Sequence, residues 1–442
     1  METAARTNPL CLEADAKSVV LKLREAGHVA YFAGGCVRDI LMGQTPKDYD
    51  VATDAEPAKV RKIFPQTQAV GAAFGVILVR HGKSVVEVAT FRTDGPYSDG
   101  RRPDAVKFAS AQDDAQRRDF TINGLFLDPV TNEVIDYVGG RADLEQRRLR
   151  AIGDAGRRFE EDHLRLLRAV RFAARFDLEI EPATAQAIIR AAPRLKGISP
   201  ERIAEELRLI LTPLTRRRAW PLLAQMQLTP VIFRLLPLEP AGREIFLNLT
   251  PQEAIPFPLS LAAAALEVSL GPDADPRPLL QKSEARRIVA ALRKSLKISN
   301  DESDALEGTL AGLSPLLSKT PPTVAIKKRF LAQPTSPLSR KLLSALAACG
   351  CFTDRAAALA AEFTELEKTE FAPPPLLTGD DLTAAGLPPG PEFKRLLDSV
   401  YDAQLEGRIR TTEKALELAL QSRGEGSNSS NREDAKNAKK KF

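Results

Sequence analysis

The chain has few histidines and few cysteines, and each shortage excludes a class of site. Its 442 residues include only His28, His81 and His163, so a histidine-based metal centre or hydrolase triad is hard to build. The four cysteines are too few and too scattered for a disulfide framework, which predicts a reduced, cytoplasmic setting. The longest apolar run, 259–265, is far too short to span a bilayer, and we expect no signal peptide.

A strong charge of either sign is also absent. The net charge is +5 and the pI is about 8.9. Any nucleic-acid surface must therefore come from local clusters of basic residues rather than from a general excess. The composition, 43% hydrophobic and 27% charged, is typical of a soluble protein, and the length predicts more than one domain.

The most informative stretch combines a strand, a glycine turn and a helix start. Residues 31–33 are typical of a buried strand, Gly34 and Gly35 interrupt it, and 37–42 has a helical apolar spacing. A helix N-terminus offers unpaired N–H groups, and glycines let a phosphate approach the main chain. The turn is therefore suited to holding a triphosphate, with Arg38 adding a fixed positive charge.

Two aspartates follow within a few residues. Asp48 and Asp50 are separated by one residue, so on a strand they point the same way and can share a pair of divalent ions. Magnesium suits such a site because it prefers carboxylate and phosphate oxygens. Asp-x-Asp alone is more often a solvated strand end or turn, and its position beside the glycine turn is what favours the metal site.

The next segments contain charged residues whose environment the sequence leaves open. Glu87 lies in the apolar run 85–89, where it is either a metal ligand or an edge-strand residue facing water. The basic stretch 91–102 is predicted as a loop that either closes over a ligand or is merely a solvated surface loop. One of Arg117 and Arg118 must lie close to the core, which a phosphate partner would justify.

From about residue 160 the pattern is helical, and the predicted helix 161–176 carries a row of arginines. Its arginines fall within one third of the circumference, opposite an apolar face. The row consists of Arg165, Arg168, Arg171 and Arg175.

Asp162, one turn before Arg165, gives that helix an acceptor beside a donor. Cytosine and adenine present an amino donor next to a ring-nitrogen acceptor, whereas uracil and guanine present the reverse order. The pair is therefore suited to accept C and A. The alternative is a surface ion pair at i,i+3, which would contribute only about a few tenths of a kcal/mol to stability.

The remaining chain is predicted to be helical, with proline-rich joints at 271–277, 320–322 and 372–375. A Gly/Pro turn at 386–391 joins two helical stretches and is either an RNA phosphate contact or a plain connector. The polar, lysine-rich end at 422–442 is predicted to be disordered.

Five ordered motifs together resemble the class II tRNA nucleotidyltransferase and bacterial poly(A) polymerase family, a branch of the polymerase-beta-like nucleotidyltransferases. They are Gly34-Gly35-x-Val37-Arg38-Asp39 with Asp48-x-Asp50, Arg117-Arg118-Asp119-Phe120-Thr121-Ile122-Asn123, Asp136 to Leu144 with Gly139-Gly140, Glu161-Asp162-x-x-Arg165 running into Arg168 and Arg171-Phe172, and Ser199-Pro200-Glu201-Arg202.

The resemblance implies an α+β fold: a nucleotidyltransferase head with a small mixed sheet, followed by an all-α neck, body and tail. The implied domains are the catalytic head at 1–150, the base-recognising neck at 151–215, the helical body at 216–340, the RNA-binding tail at 341–421 and the basic end at 422–442.

The resemblance also assigns roles to the site residues. Asp48 and Asp50 bind the catalytic Mg²⁺ ions, helped by Glu87. The triphosphate and sugar are held by Gly35, Arg38 and Arg118, the incoming base is selected by Asp162 and Arg165, and the nucleotide pocket is completed by Arg168 and Arg171.

The implied reaction is addition of CCA, or of the terminal A, to the 3′ end of tRNA from CTP and ATP, without a nucleic-acid template. The motif Arg101-Arg102-Pro103-Asp104 and the retained loop at 92–102 resemble CCA-adding or A-adding enzymes more than poly(A) polymerases. A poly(A) polymerase and an inactive RNA-binding homologue remain the alternatives. We expect no membrane association and no stable protein partner.

Overall fold

The computed structural model of the chain describes residues 9–71, 74–97, 105–239, 242–249, 253–387 and 390–422. The chain forms two compact units, Met1–Arg234 with Lys294–Lys297 and Leu235–Arg293 with Ile298–Phe442. The architecture is α+β as predicted, with a sheet in the first unit and helices in the second. Among the described residues, no helix is both long enough and apolar enough to cross a membrane.

Within the described residues, the first unit contains eleven strands. They are β1 Ala30–Ala33, β2 Asp50–Thr53, β3 Thr67–Gly71, β4 Val76–His81, β5 Ser84–Thr90, β6 Arg92–Asp94, β7 Val106–Phe108, β8 Leu125–Leu127, β9 Val134–Asp136, β10 Arg148–Leu149 and β11 Glu179–Ile180. Seven of them form one sheet in the order β3-β4-β5-β2-β1-β8-β9. Its neighbours are antiparallel except β2 and β5, which are parallel.

The helices of the first unit surround this sheet and continue beyond it. They are α1 Pro9–Glu25, α2 Gly35–Leu41, α3 Pro57–Ile63, α4 Ala111–Gln116, α5 Gly140–Glu145, α6 Ala155–Glu161, α7 Arg165–Phe176, α8 Pro182–Ala191, α9 Pro200–Ile210, α10 Arg216–Gln225 and α11 Thr229–Ile232. A 3-10 turn at Thr121–Asn123 precedes β8.

The later helices are joined at the predicted proline-rich segments. They are α12 Phe257–Ser269, α13 Arg277–Leu280, α14 Lys282–Leu296, α15 Asn300–Ala311, α16 Val324–Leu331, α17 Ser336–Ala348, α18 Thr353–Leu366, α19 Gly379–Ala384 and α20 Pro391–Leu405, and the chain is again helical over 412–422. The predicted Gly/Pro turn lies between α19 and α20, and its residues 388–389 are outside the described residues, as is the basic end from 423 onward.

One face of the sheet packs on helix α1 to form the core of the first unit. The buried residues of α1 recur at helical spacing, and they meet alternate residues of β2 and β5. This cluster includes Val19, Leu23, Val51, Val86 and Val88. Because side chains alternate across a strand, the intervening residues of β2 and β5 face the other side of the sheet.

Three local predictions need correction. Asp48 precedes strand β2 rather than lying in it, so only Asp50 belongs to the strand. The predicted loop 91–102 contains strand β6, which pairs with β7. Residues 98–104, which include the end of this loop and the motif at 101–104, are outside the described residues. The predicted helix 161–176 is interrupted, because α6 ends at Glu161 and α7 begins only at Arg165.

Candidate active site

A cleft of about 570 Å³ opens on the face of the sheet opposite α1, within the first unit. It brings together all the predicted site residues except Asp48 and Arg171. Its lining includes Gly35, Arg38, Asp50, Glu87, Arg118, Asp162, Arg165 and Arg168. Residues separated by more than a hundred positions in the chain therefore share one cavity.

The glycine turn between β1 and α2 forms one end of this cleft. Gly34 has φ of 67°, a conformation that favours glycine, and a Cβ there would lie 2.7 Å from Nη1 of Arg118. A Cβ on Gly35, the first residue of α2, would meet nothing closer than Nη2 of Arg38 at 3.6 Å. The backbone conformation and the nearby Arg118 side chain thus require glycine at position 34, whereas the space beside Gly35 is open toward the cleft.

Asp50 and Glu87 lie side by side on two parallel strands. Val51 is in register with Val88, and Asp50 and Glu87 are the residues immediately before that pair. Burial raises the pKa of Asp50 to about 7, and the charges of Glu87 and Asp48 contribute to this rise. Three carboxylates are therefore close enough to repel one another.

The position of Glu87 bears on both interpretations of that residue. Strand β5 lies between β4 and β2, so Glu87 is not on an edge strand, but its side chain is exposed in the open cleft. Its carboxyl faces the cleft, where the surrounding protein and then Asp48 raise its pKa.

These carboxylates fit an open divalent-metal site rather than a closed one. Within the described residues, no group of three or more His, Cys, Asp or Glu side chains is arranged to hold a metal ion by itself. Magnesium is commonly bound by one or two carboxylates together with waters and substrate phosphates. A divalent ion would also relieve the repulsion that raises the pKa of Asp50.

Arg38 is buried beside the glycine turn and is already fully engaged. Its Nε and Nη2 donate to Asp39 at 2.9 and 2.6 Å, and its Nη1 donates to Oδ1 of Asn123 at 2.6 Å. The guanidinium carbon lies 4.1 Å from the centre of the Phe176 ring. Arg38 therefore joins α2 to the turn before β8 and to α7.

The arginine pair at 117 and 118 has a protein partner. Asp114 is buried and accepts hydrogen bonds from Arg117 at 2.8 Å and from Arg118 at 3.1 and 3.0 Å. Burial opposes ionisation of Asp114, but Arg118 and Arg117 outweigh it and lower its pKa. The pair therefore needs no phosphate to lie near the core, contrary to that part of the sequence argument.

Asp119 connects two regions of the site. One of its oxygens accepts from Nε and Nη2 of Arg168 at 2.8 and 2.6 Å, and the other accepts from the Phe120 amide and from Asn123. Burial opposes ionisation of Asp119, but Arg168 and Asn123 outweigh it and hold the pKa well below its usual range. Because Asn123 also binds Arg38, these contacts form one continuous network.

Asp162 and Arg165 both line the cleft, but they do not pair with each other. Asp162 accepts from the Leu164 amide at 3.1 Å and from Arg202 at 3.4 Å. Arg165 is buried, and its Nη1 donates to Glu161 at 2.6 Å and to the carbonyl of Arg158 at 2.8 Å. The surface ion-pair alternative is therefore wrong, because other residues hold both side chains.

The row of arginines on α7 is paired along its length. Arg168 lies against Asp119, Arg171 faces Glu206 at 3.3 Å, and Arg175 is 3.9 Å from Asp39. The apolar residues opposite them are buried, as predicted: Leu166, Leu167, Val170, Ala173 and Ala174. Phe172 is buried between the guanidiniums of Arg38, Arg168 and Arg171, which lie 4.9 to 5.4 Å from its ring centre.

Comparisons with known proteins identify the family of the chain. Family models match at 30–150, described as the poly A polymerase head domain, and at 177–238, described as a probable RNA and SrmB-binding site of polymerase A. The CCA-adding enzyme of Geobacillus stearothermophilus is 34% identical over 424 residues, covering 92% of this chain and 96% of that protein. The chain belongs to the family of CCA-adding enzymes and bacterial poly(A) polymerases.

Solved structures of this family have the same fold. The crystal structure of the Bacillus stearothermophilus CCA-adding enzyme in complex with CTP has a TM-score of 0.68 and 29% identity, covering 96% of this chain and 100% of that one. The Thermotoga maritima CCA-adding enzyme complexed with tRNA has a TM-score of 0.65 and 21% identity, covering 94% and 96%, and supports the fold alone. Nucleotidyltransferases of this family generally use divalent metal ions.

The sequence did not reveal the residues that hold the predicted site arginines in place. These are Asp39, Asp114, Asp119 and Asn123. Each lies inside or just before a motif quoted for the resemblance. The available signal was a polar residue within an otherwise apolar segment, such as Asn123 beside Ile122, since a buried polar group needs a partner.

Proposed function

We propose that the chain is a template-independent RNA nucleotidyltransferase that adds CCA, or the terminal A, to the 3′ end of tRNA from CTP and ATP. The observation that carries the proposal is the single cleft that joins Asp50 and Glu87 to Asp162 and Arg165. In the reaction, the RNA 3′-hydroxyl attacks the α-phosphate of the nucleotide. A new phosphorus–oxygen bond forms, the bond to the β-phosphate oxygen breaks, the hydroxyl proton is released and pyrophosphate leaves.

The carboxylates would hold the metal ions, for which we propose Mg²⁺. Asp50 and Glu87 face the cleft, and Asp48 is close enough for its charge to raise the pKa of both. When bound, the ions would activate the attacking oxygen and neutralise charge on the leaving one. The protein's own contribution is to keep these carboxylates on adjacent strands in a fixed register.

The triphosphate and sugar would lie between the glycine turn and the arginines beside it. Gly35 leaves room at the start of α2, where backbone N–H groups favour a phosphate. Arg38 and Arg118 supply positive charge from positions that Asp39, Asn123 and Asp114 hold rigid. Held in this way, the two guanidiniums need little rearrangement when the nucleotide enters.

The base would be selected by Asp162 and Arg165, an acceptor and a donor that other residues hold. Arg202 holds Asp162 and Glu161 holds Arg165, so the base edge meets side chains that are already oriented. Arg168 and Arg171 would complete the nucleotide pocket around Phe172. The Asp162 carboxylate would accept from the amino group of C or A, and the Arg165 guanidinium would donate to the neighbouring ring nitrogen.

We further propose that the protein acts in the cytoplasm. We also propose the domain roles that the resemblance implies. These are a catalytic head at 1–150, a neck at 151–215, a body at 216–340 and an RNA-binding tail at 341–421. The relatives that match 92% of this chain are named CCA-adding enzymes, which favours CCA addition over poly(A) synthesis.

The deciding experiment supplies three tRNA substrates, ending at the discriminator base, at C and at CC, each with Mg²⁺ and CTP, ATP or both. A CCA-adding enzyme completes all three and then stops. An A-adding enzyme extends only the CC end, and a poly(A) polymerase extends with ATP alone and without a fixed stop. Absence of incorporation with retained tRNA binding would leave only an RNA-binding protein and would overturn the proposal.

A further inference from the structure

Helix α1 lies before the matched head segment at 30–150, yet it contacts both strands that carry the cleft carboxylates. Its apolar side packs on the sheet face opposite the cleft, where Val51 and Val88 are buried. Its polar residues reach Tyr49, just before β2, and Ser84, the first residue of β5, so hydrogen bonds as well as core packing attach α1 to this part of the sheet.

The first polar contact fixes the segment that contains the two aspartates. Tyr49 lies between Asp48 and Asp50, and its hydroxyl donates to Oε2 of Glu13 at 3.3 Å. The Tyr49 ring is buried and meets the ring of Phe32 edge-on, with 5.2 Å between their centres. Tyr49 directly precedes β2, so holding Tyr49 in place restricts the backbone that carries its two neighbours, Asp48 and Asp50.

The second contact fixes the strand that contains Glu87. Asp15 accepts from Oγ of Ser84 at 2.6 Å and from the Lys83 amide at 3.1 Å, at the start of β5. A Cβ on Gly82, which has φ of 59°, would overlap the Asp15 carboxylate, so the hairpin turn closely accommodates that residue. Ser84 and Glu87 belong to one short strand, so Asp15 holds the start of the strand that carries Glu87.

We propose that α1 positions the metal-binding carboxylates from the far side of the sheet, with Glu13 and Tyr49 as positioning residues. The inference rests on the proposed function, because it assigns Asp48 and Asp50 to the metal. Residues behind a metal ligand commonly change metal affinity when they are replaced, since they hold the ligand in its binding orientation.

The test is Tyr49→Phe, which removes the hydroxyl and keeps the ring. Mn²⁺ binding to the full-length protein would be followed by electron paramagnetic resonance with a non-hydrolysable CTP analogue present. We expect Mn²⁺ to bind about tenfold more weakly to the variant than to the unmodified protein. The concentration of Mg²⁺ that gives half-maximal nucleotide addition should rise similarly, while kcat at saturating Mg²⁺ changes much less.

Two further variants separate positioning from general stability. Glu13→Gln keeps an acceptor for the Tyr49 hydroxyl and should retain most of the Mn²⁺ affinity, whereas Glu13→Leu should resemble Tyr49→Phe. Ser18→Ala removes another polar contact of α1, to Nε2 of His81 at 2.9 Å, without touching Tyr49. It should leave Mn²⁺ binding unchanged even if it lowers the melting temperature.

Unchanged Mn²⁺ affinity in Tyr49→Phe and Glu13→Leu, with only the melting temperature lowered, would overturn the inference and assign α1 a purely structural role. Equal loss of Mn²⁺ affinity in Ser18→Ala would do the same. Failure of the unmodified protein to add nucleotides would instead count against the proposed function, and the Mn²⁺ measurement on the unmodified chain distinguishes the two results.

Discussion

Asp119 and Arg168 form an ion pair with two hydrogen bonds between the segment just before the 3-10 turn Thr121–Asn123 and helix α7. Nε and Nη2 of Arg168 both donate to Oδ2 of Asp119, at 2.8 and 2.6 Å. The other oxygen of Asp119 accepts from Asn123, which in turn accepts from Arg38. A single buried carboxylate thus links the glycine-turn end of the cleft to helix α7, which begins with Arg165, one of the two proposed base-selecting residues.

Replacing Asp119 by Asn should therefore destabilise the protein and lower nucleotide addition together. Breaking a buried ion pair leaves an uncompensated charge, and because Arg168 is one-third exposed we expect a loss of about 3 kcal/mol, at the lower end of the usual range. Urea unfolding of both proteins at pH 7 measures it. Glu160→Gln, which removes a half-exposed partner of Arg194, is the matched control and should change the free energy of unfolding by less than about 1 kcal/mol.

The same variant has a defined pH dependence. Folding lowers the pKa of Asp119, so its stabilising contribution is complete above the ordinary carboxyl pKa of about 4 and is lost as the pH falls through the lower, folded value. The difference between the unmodified protein and Asp119→Asn should be constant from pH 5 to pH 8 and shrink below pH 4. A difference that grows on acidification would contradict the ion pair.

Alanine substitutions at the two neighbouring glycines should affect different properties, stability at Gly34 and nucleotide binding at Gly35. Gly34→Ala forces a Cβ into a left-handed conformation beside Arg118, which should cost about 1–3 kcal/mol of stability. Gly35→Ala meets open space, so stability should stay within about 0.5 kcal/mol while the KM for CTP rises about tenfold. Thermal unfolding and steady-state kinetics of both variants are the measurements, and equal KM values for Gly35→Ala and the unmodified protein would exclude close phosphate approach there.

Asp50→Asn should stabilise the metal-free protein at alkaline pH while abolishing nucleotide addition. Folding raises the pKa of Asp50 from 3.8 to about 7, so the folded protein binds the extra proton and loses stability as the pH rises between these values. In EDTA, the melting temperature of the variant should exceed that of the unmodified protein at pH 8 and equal it near pH 4. Asp304→Asn, at an exposed position of α15, controls for general charge effects, and a gain confined to acid pH would refute the assignment.

Arg165→Ala should lose discrimination against UTP while retaining some turnover. A base contact of this kind contributes about 1–3 kcal/mol of discrimination, so the preference for CTP over UTP should fall about 5- to 150-fold in kcat/KM. Arg175→Ala, on the same helix but outside the cleft lining, is the control and should leave the preference intact. Unchanged selectivity in Arg165→Ala would place base selection elsewhere.

The local elements and the motifs were predictable because they depend on neighbouring residues. The glycine turn and the apolar side of α7 follow from residue types and their spacing over a few positions. The interruption at 162–164 was missed, since Asp162 there accepts from Arg202 on α9, a residue that no local pattern brings near. For the same reason, the sequence predicted the row of arginines on α7 but not the carboxylates paired with it.

The sequence by itself determined which chemical groups are present: paired aspartates, a glycine turn, buried arginines and the order of motifs that identifies the family. Only the tertiary structure decided which of them meet. Glu87 lies beside Asp50 because β2 and β5 pair in parallel, and Asp119 meets Arg168 across 49 positions of the chain. Such contacts depend on how strands and helices pack over long sequence separations, which the local spacing of residues does not specify.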